Sequence, residues 1–256
     1  MAKVQSDTSI QSPGVGLSMN RMTLIISGLL LITVTTTSVA QEVRYSWLDI
    51  SFMGQDVDKF GTKPTPVPGQ TVDANAKDGG GIRFRGSVGT WHNLYMFIDY
   101  GSTDIDVDVI VTNPIGEQVP GTGEFDYTTI RSGFGVRFPV GFKTDIYAEV
   151  SYDSLDFDFG SFAGEVGEDN FSTDDQDVGG ALGVRSMLTD NLELRAYGRY
   201  TELGDIGLSS GTFDADTLFG AGFGWTLVRG LSIVGDFESG ELSSWSIGFR
   251  MDLDED

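Results

Sequence analysis

The chain has 256 residues, with 38 acidic side chains, 16 basic ones and no cysteine. A formal net charge of -22 argues against a nucleic-acid partner, because the phosphate backbone would repel such a protein. Disulfide scaffolds and thiolate metal sites are excluded, and a hydrophobic fraction of 39% is too high for a disordered chain.

The first forty residues have the layout of a secretory signal peptide. The apolar run Leu24–Val34 follows Arg21 and is too short to span a bilayer of about 30 Å as a helix. Ser38-Val39-Ala40 resembles a cleavage site with small residues at its first and third positions. We expect residues 1–40 to be removed, leaving one domain over residues 41–256; a retained membrane anchor is the alternative. Three methionines are candidate starts of this leader: Met1, Met19 and Met22.

The rest of the chain has the pattern of β-strands. Short stretches alternate apolar and polar residues and are separated by Gly, Asp, Asn and Pro. Ten strands are predicted: Tyr45–Met53, Gly81–Val88, Leu94–Tyr100, Tyr127–Phe138, Thr144–Tyr152, Val178–Leu188, Leu192–Tyr200, Thr217–Leu227, Leu231–Phe237 and Ser243–Leu253. Eight strands is the alternative, because the first strand and the last hairpin have the weakest patterns.

The predicted connections alternate between short and long. The short ones are 89–93, 139–143, 189–191 and 228–230, and the long ones are 54–80, 101–126, 153–177 and 201–216. Only the last hairpin, which turns at Gly240-Glu241, departs from the alternation. An all-β, antiparallel up-and-down meander of this kind places all short turns at one end, as transmembrane β-barrels do.

Aromatic residues mark both ends of the predicted strands. Four strands that start at a short turn end in an aromatic residue: Tyr100, Tyr152, Tyr200 and Phe237. Four other aromatic residues lie beside the short turns: Trp91, Phe138, Phe142 and Trp225. Two such belts around an apolar band are typical of a membrane-spanning barrel, although aromatic residues also favour strands in general.

Charged residues occupy the strand face opposite the apolar one. They are Asp49, Arg83, Arg85, Asp99, Arg131, Arg137, Glu149, Arg185, Glu193, Arg195, Arg199, Asp236, Glu238 and Arg250. All five lysines lie outside the predicted strand cores, whereas eight of the eleven arginines lie within them. Because arginine's planar fork suits a crowded, paired interior, we expect a polar lumen largely plugged by Arg–carboxylate pairs. Glu149, between the strands of Arg131 and Arg185, is the predicted hub.

The C-terminal strand carries one more pattern. Ser246, Gly248, Met251 and Leu253 place a polar residue, a glycine and two hydrophobic residues at the spacing of an outer-membrane strand signal. With the export signal and the alternating connections, residues 42–253 resemble the small outer-membrane β-barrel proteins of Gram-negative bacteria, broadly of the OmpA-barrel or OmpX-like type. The resemblance implies a monomer in the outer membrane with its long loops extracellular. It also implies contact with lipid and lipopolysaccharide, and insertion by the outer-membrane assembly machinery.

No catalytic set and no cofactor site are predicted. The only histidine, His92, lies in a short turn on the predicted periplasmic rim, and no nucleophile elbow is present. Carboxylates of the long loops are the remaining candidate site, because they could bind Ca²⁺ or share Mg²⁺ with lipopolysaccharide phosphates. Asp104, Asp106 and Asp108 alternate along one face. The neighbouring loop bases add Asp56, Asp58, Asp153, Asp156, Asp158, Asp174, Asp175 and Asp177. Loops kept soluble by mutual repulsion are the alternative.

The sequence therefore favours an integral outer-membrane barrel with a structural or surface-interaction role and no enzymatic activity. Two other functions stay open at this point. One is a narrow, passive, porin-like channel, and the other is an exported soluble barrel that binds an apolar ligand.

Overall fold

The computed structural model describes residues 43–57, 61–64, 68–141, 143–159, 172–203, 217–240 and 242–253, all of which belong to one unit, Ser38–Asp256. The predicted signal peptide and its cleavage site lie outside these residues. In the described part of the chain, no helix is long and apolar enough to cross a bilayer.

The described residues form eleven strands. They are β1 Trp47–Val57, β2 Gly61–Pro64, β3 Thr71–Gly89, β4 Leu94–Thr112, β5 Gln118–Pro139, β6 Thr144–Phe159, β7 Ser172–Met187, β8 Leu192–Thr201, β9 Thr217–Val228, β10 Leu231–Ser239 and β11 Leu242–Asp252. From β3 to β11 each strand pairs with the next, and β1 closes the ring by pairing with both β3 and β11. β2 lies outside the ring, against the start of β3. The predicted antiparallel up-and-down barrel of ten strands is confirmed, and the eight-stranded alternative is wrong.

Near the short turns, the barrel is apolar outside and polar inside. Large apolar side chains are exposed on the outer face of nearly every strand: Ile50, Phe52, Phe84, Met96, Phe134, Val150, Leu182, Phe223, Ile247 and Phe249. Residues of both aromatic belts are exposed on the same outer surface: Trp91, Phe138 and Trp225 at one end, and Tyr152, Tyr200 and Phe237 at the other. Phe142 is not among the described residues. An apolar outer band with aromatic girdles is the surface that a bilayer solvates.

Several strands run far beyond their predicted ends. The sequence predicts that β4 ends at Tyr100, but it continues to Thr112, and β5 already begins at Gln118. The predicted loop 101–126 is therefore mostly strand, and a turn over 113–117 joins its two arms. The predicted loops 54–80 and 153–177 are shortened in the same way by β1, β3, β6 and β7.

The polarity of the two faces reverses along these extensions. On β4, Ile105, Val107 and Val109 point inward and are buried, whereas Asp104 and Asp106 point outward and are exposed. The register between β4 and β5 is continuous across this point, so the reversal comes from the sequence and not from a slip of the strand. Apolar residues inside and carboxylates outside are the arrangement of a sheet that faces water. The reversal therefore marks the edge of the apolar band.

Candidate functional site: a charge network in the lumen

All fourteen charged residues that the sequence assigns to the lumen lie on the inner face of the barrel. The structure adds Asp145 and Asp153 to them, and Arg44 and Asp252 at the short-turn end. Nine arginines and nine carboxylates are thus ion-paired inside the described barrel. They fall into three groups by their contacts.

The short-turn group consists of Arg44, Arg137, Arg185, Arg250, Asp145, Glu193 and Asp252. Glu193 is its centre, because it accepts hydrogen bonds from Arg185 at 2.9 Å and from Arg250 at 3.3 Å. Buried Tyr45, which precedes β1, lies beneath two arginines of this group, with the guanidinium of Arg185 4.6 Å from its ring centre. A cation over an aromatic face is favourable, so this segment helps to fill the mouth of the barrel.

The central group consists of Arg83, Arg85, Arg195, Asp49, Asp99 and Asp236. Asp236 on β10 accepts from Arg195 at 2.7 Å and pairs with Arg85 at 2.6 Å. Arg85 also pairs with Asp49, so this chain of contacts links β8, β10, β3 and β1 across the lumen. Arg83 donates to Asp99 on the neighbouring strand at 2.8 Å.

The far group consists of Arg131, Arg199, Glu149, Glu238 and Asp153. Arg131 pairs with Glu149 at 2.7 Å, and Arg199 pairs with Glu238 at 2.6 Å. Asp153 lies between the two arginines, 3.7 Å from each. The sequence places Asp153 at a loop base, but it is a buried lumenal residue with 1% of its surface exposed.

Glu149 is not the hub that the sequence predicts. It accepts hydrogen bonds from Arg131 and from the Tyr95 hydroxyl at 2.9 Å, whereas Arg185 pairs with Glu193. Arg185 lies lower in the barrel because its register partner on β6 is Asp145, four residues before Glu149. The centres that join several strands are therefore Glu193 and Asp236.

Glycines on alternate strands make room for large lumenal side chains. The rings of Tyr95, Tyr147 and Tyr197 each lie over the register partner on the next strand, which is Gly135, Gly183 and Gly220 respectively. A Cβ at any of these glycines would overlap the ring. On β9, Gly222 likewise leaves space for the pair between Arg195 and Asp236.

Two internal cavities flank a constriction. One of about 130 Å³ lies on the far side, and one of about 70 Å³ lies towards the short turns. The two cavities have four lining residues in common: Arg83, Asp99, Arg131 and Tyr197. The ion pair between Arg83 and Asp99 therefore lies in the wall that separates the two cavities.

The acidic extensions form a separate surface on the outside of the barrel. Asp104, Asp126 and Asp158 are register partners across β4, β5 and β6. Partial desolvation and a hydrogen bond with Asp104 raise the pKa of Asp126. Asp108 instead pairs with Lys77 at 2.8 Å, and this contact raises the pKa of the lysine.

The predicted loop carboxylates do not gather into one cluster. Asp56, Asp104, Asp106, Asp108, Asp156, Asp158 and Asp174 are on the outward face, Asp153, Asp175 and Asp177 on the inward face, and Asp58 is not described. Within the described ranges, no group of three His, Asp or Glu side chains could hold a metal ion.

The rim at the short turns carries no catalytic arrangement in its described residues. His92 is exposed in the turn between β3 and β4, in a left-handed backbone conformation with φ of 55°, and its ring contacts Trp91. On the same rim Lys143 donates to Asp190 at 2.8 Å, which lowers the pKa of that carboxyl.

Comparison with known proteins gives one family and several similar folds. The family model of the outer membrane protein beta-barrel domain matches residues 27–226. No curated protein sequence matches the chain. The outer membrane protein OprG from Pseudomonas aeruginosa is similar at 12% identity and a TM-score of 0.44, over 84% of this chain and 100% of that one.

Two further solved structures are similar. The translocator domain of the autotransporter NalP from Neisseria meningitidis has 15% identity and a TM-score of 0.47, over 92% of this chain and 95% of that one. Ail, the attachment invasion locus protein of Yersinia pestis, has 12% identity and a TM-score of 0.38, over 81% of this chain and 99% of that one.

Proposed function

The chain belongs to the outer-membrane β-barrel family, and we propose that it is a closed barrel with a structural or surface-interaction role. The observation that carries this proposal is the lumenal charge network, in which nine arginines and nine carboxylates pair inside the barrel, several of them between strands that are not neighbours. Taken as a whole, this paired set carries equal numbers of opposite charges and so no net charge for mobile counter-ions to balance. A continuous water path is therefore not required to solvate them.

The packing around the network supports closure. An eight-stranded barrel is just wide enough for side chains to fill, and ten strands enclose only slightly more. Here the tyrosines seated on glycines, the Tyr45 segment and the arginines occupy that space. Opening a path would require separating buried ion pairs, and leaving a buried charge without its partner typically costs about 3–5 kcal/mol.

The two unequal ends of the barrel support one orientation in the membrane. We propose that the extended strands with their acidic outer face point away from the cell and that the short turns face the periplasm, as in other barrels of this kind. The apolar band would then contact lipid, and the acidic extensions would stand beside lipopolysaccharide. Insertion by the outer-membrane assembly machinery and a monomeric state complete the proposal.

A narrow channel is the second candidate, and the two cavities are the observation that favours it. Rotation of Arg83 away from Asp99 would join them through the constriction. The exported soluble barrel is disfavoured, because exposed side chains such as Phe52 and Phe134 form a wide apolar outer band. Large exposed apolar areas of that kind mark membrane or partner contact. An enzymatic role has no supporting site in the described residues.

Cell fractionation combined with surface labelling tests this proposal. The protein should occur in the outer-membrane fraction as a heat-modifiable band that migrates faster before boiling. A short tag inserted at Gly116, in the turn at the extended end, should be labelled on intact cells. The matched insertion at Gly230, in a short turn, should not be labelled. Labelling of Gly230 alone would reverse the orientation, and release of the protein by osmotic shock would refute the membrane role.

A further inference from the structure

The larger of the two internal cavities lies on the side away from the short turns and is called the far cavity below. It is lined by both apolar and charged side chains. Four buried apolar side chains line it: Met53, Leu155, Phe157 and Leu218. Its volume of about 130 Å³ is close to that of a protein cavity of about 150 Å³ known to hold one benzene molecule. The cavity can therefore accommodate a compact apolar body of roughly six non-hydrogen atoms.

Two polar side chains in this cavity have acceptor oxygens that receive no hydrogen bond from the described residues. Neither carboxylate oxygen of Asp153 accepts a hydrogen bond from a described residue, and the same holds for Oε1 of Gln55. Both residues are buried, at 1% and 5% exposure. A buried acceptor without a donor is costly, and in native structures most such atoms are satisfied. The unmet need is for donors, since all three atoms are acceptors.

The local charge balance points to the sign of the missing partner. The far group contains two arginines and three carboxylates, whereas the central group contains three of each. Arg131 and Arg199 are engaged more closely by Glu149 and Glu238, at 2.7 and 2.6 Å, than by Asp153 at 3.7 Å. Asp153 is thus the excess negative charge, and one cation beside it would neutralise the far group.

We propose that the far cavity binds a small primary ammonium compound with an apolar body. The ammonium donates to Asp153 and Gln55, and the apolar part packs against Leu155 and Phe157. A bare metal ion fits less well, because divalent cations require several oxygen ligands and no described group of three supplies them. This site would exist in a closed barrel and in a narrow channel alike, so its test is independent of the proposed function.

Calorimetric titration of the purified protein in detergent micelles tests the site. The probe is n-butylammonium, with butan-1-ol as the neutral analogue, butyrate as the anionic one and ammonium chloride as the cation without an apolar body. Protein-free micelles serve as the blank. Saturable binding of about one n-butylammonium per chain is expected, and each analogue should bind at least tenfold more weakly.

Variants assign the binding to this cavity. Asp153→Asn removes the charge and should weaken n-butylammonium binding at least tenfold, and Gln55→Leu should weaken it by a smaller factor. Asp145→Asn, a buried lumenal carboxylate outside this cavity, is the matched control and should leave binding unchanged. Heat modifiability of each variant verifies that it has folded, and the Gln55 variant keeps the test available if the Asp153 variant misfolds. Equal binding of ammonium chloride, or unchanged binding by the folded Asp153 or Gln55 variants, would overturn the proposal.

Discussion

Glu193→Gln tests whether the network holds the barrel together. Glu193 has 4% of its surface exposed and neutralises two buried arginines at once. The substitution keeps the shape of the side chain but removes its charge. Arg185 and Arg250 would then both remain buried without the carboxylate that they share. Removing one partner of a buried ion pair typically costs about 3–5 kcal/mol, and we expect a loss of unfolding free energy in that range.

A double variant separates the cost of an unpaired charge from the worth of the pair. Arg185→Met combined with Glu193→Met removes both charges, while Arg250 keeps Asp252 at 3.6 Å. Because replacing a buried pair by apolar residues is often close to neutral, the double variant should be more stable than Glu193→Gln. The losses of unfolding free energy caused by Arg185→Met alone and by Glu193→Met alone should add up to more than the loss caused by the double variant.

Urea unfolding in lipid vesicles provides the assay, followed by tryptophan fluorescence. Trp47 is a useful reporter, because the Arg250 guanidinium lies 5.9 Å from its ring centre. Asp190→Asn is the control: this exposed carboxylate pairs with Lys143 at the rim, and such pairs contribute little. A loss below about 1 kcal/mol for Glu193→Gln, or additive effects in the cycle, would refute a structural role for the network.

Three further predictions test the faces, the packing and the acidic rim. Val150→Arg on the apolar band should cost about 2–4 kcal/mol in vesicles, whereas Asp106→Arg on the same face beyond the band should cost much less; equal costs would contradict the polarity reversal. Gly220→Ala should lower the urea midpoint, since its Cβ would overlap the lumenal ring packed on it, while Gly141→Ala in an open turn should not; similar midpoints for both would refute the packing. Asp126 has a raised pKa in the folded state, so stability should fall as the pH rises through that value. Asp126→Asn should therefore stabilise the protein near neutral pH and have no effect below the ordinary carboxyl pKa of about 3.9; a pH-independent effect would argue against a raised pKa at Asp126.

The sequence predicts the membrane half of the fold because each strand there has one consistently apolar face. The prediction is wrong at the strand extensions. There Asp104 and Asp106 look like loop residues if acidic residues are taken as a sign of irregular structure. The alternation of these aspartates with Ile105 and Val107 is itself a strand signal of period two. What misleads is the change of environment, since the apolar face is the outer one in lipid and the inner one above it.

The lumenal residues could be predicted because successive residues of a strand point to opposite faces. A charged residue next to an apolar, lipid-facing one must therefore point into the lumen. Their partners could not be predicted, because pairing depends on the stagger of the strands. Asp145 lies opposite Arg185 in the register of β6 and β7, which no local pattern reveals. Asp153 follows the predicted aromatic belt by one residue and therefore reads as a loop position, although its side chain points into the barrel.

Conductance in planar lipid bilayers tests the central claim most directly. The closed-barrel account predicts no steady current across a membrane containing the unmodified protein. It also predicts leak currents when the constriction is loosened by replacing both Arg83 and Asp99 with alanine. Large, stable, cation-preferring single-channel steps from the unmodified protein would contradict the account and establish the channel instead.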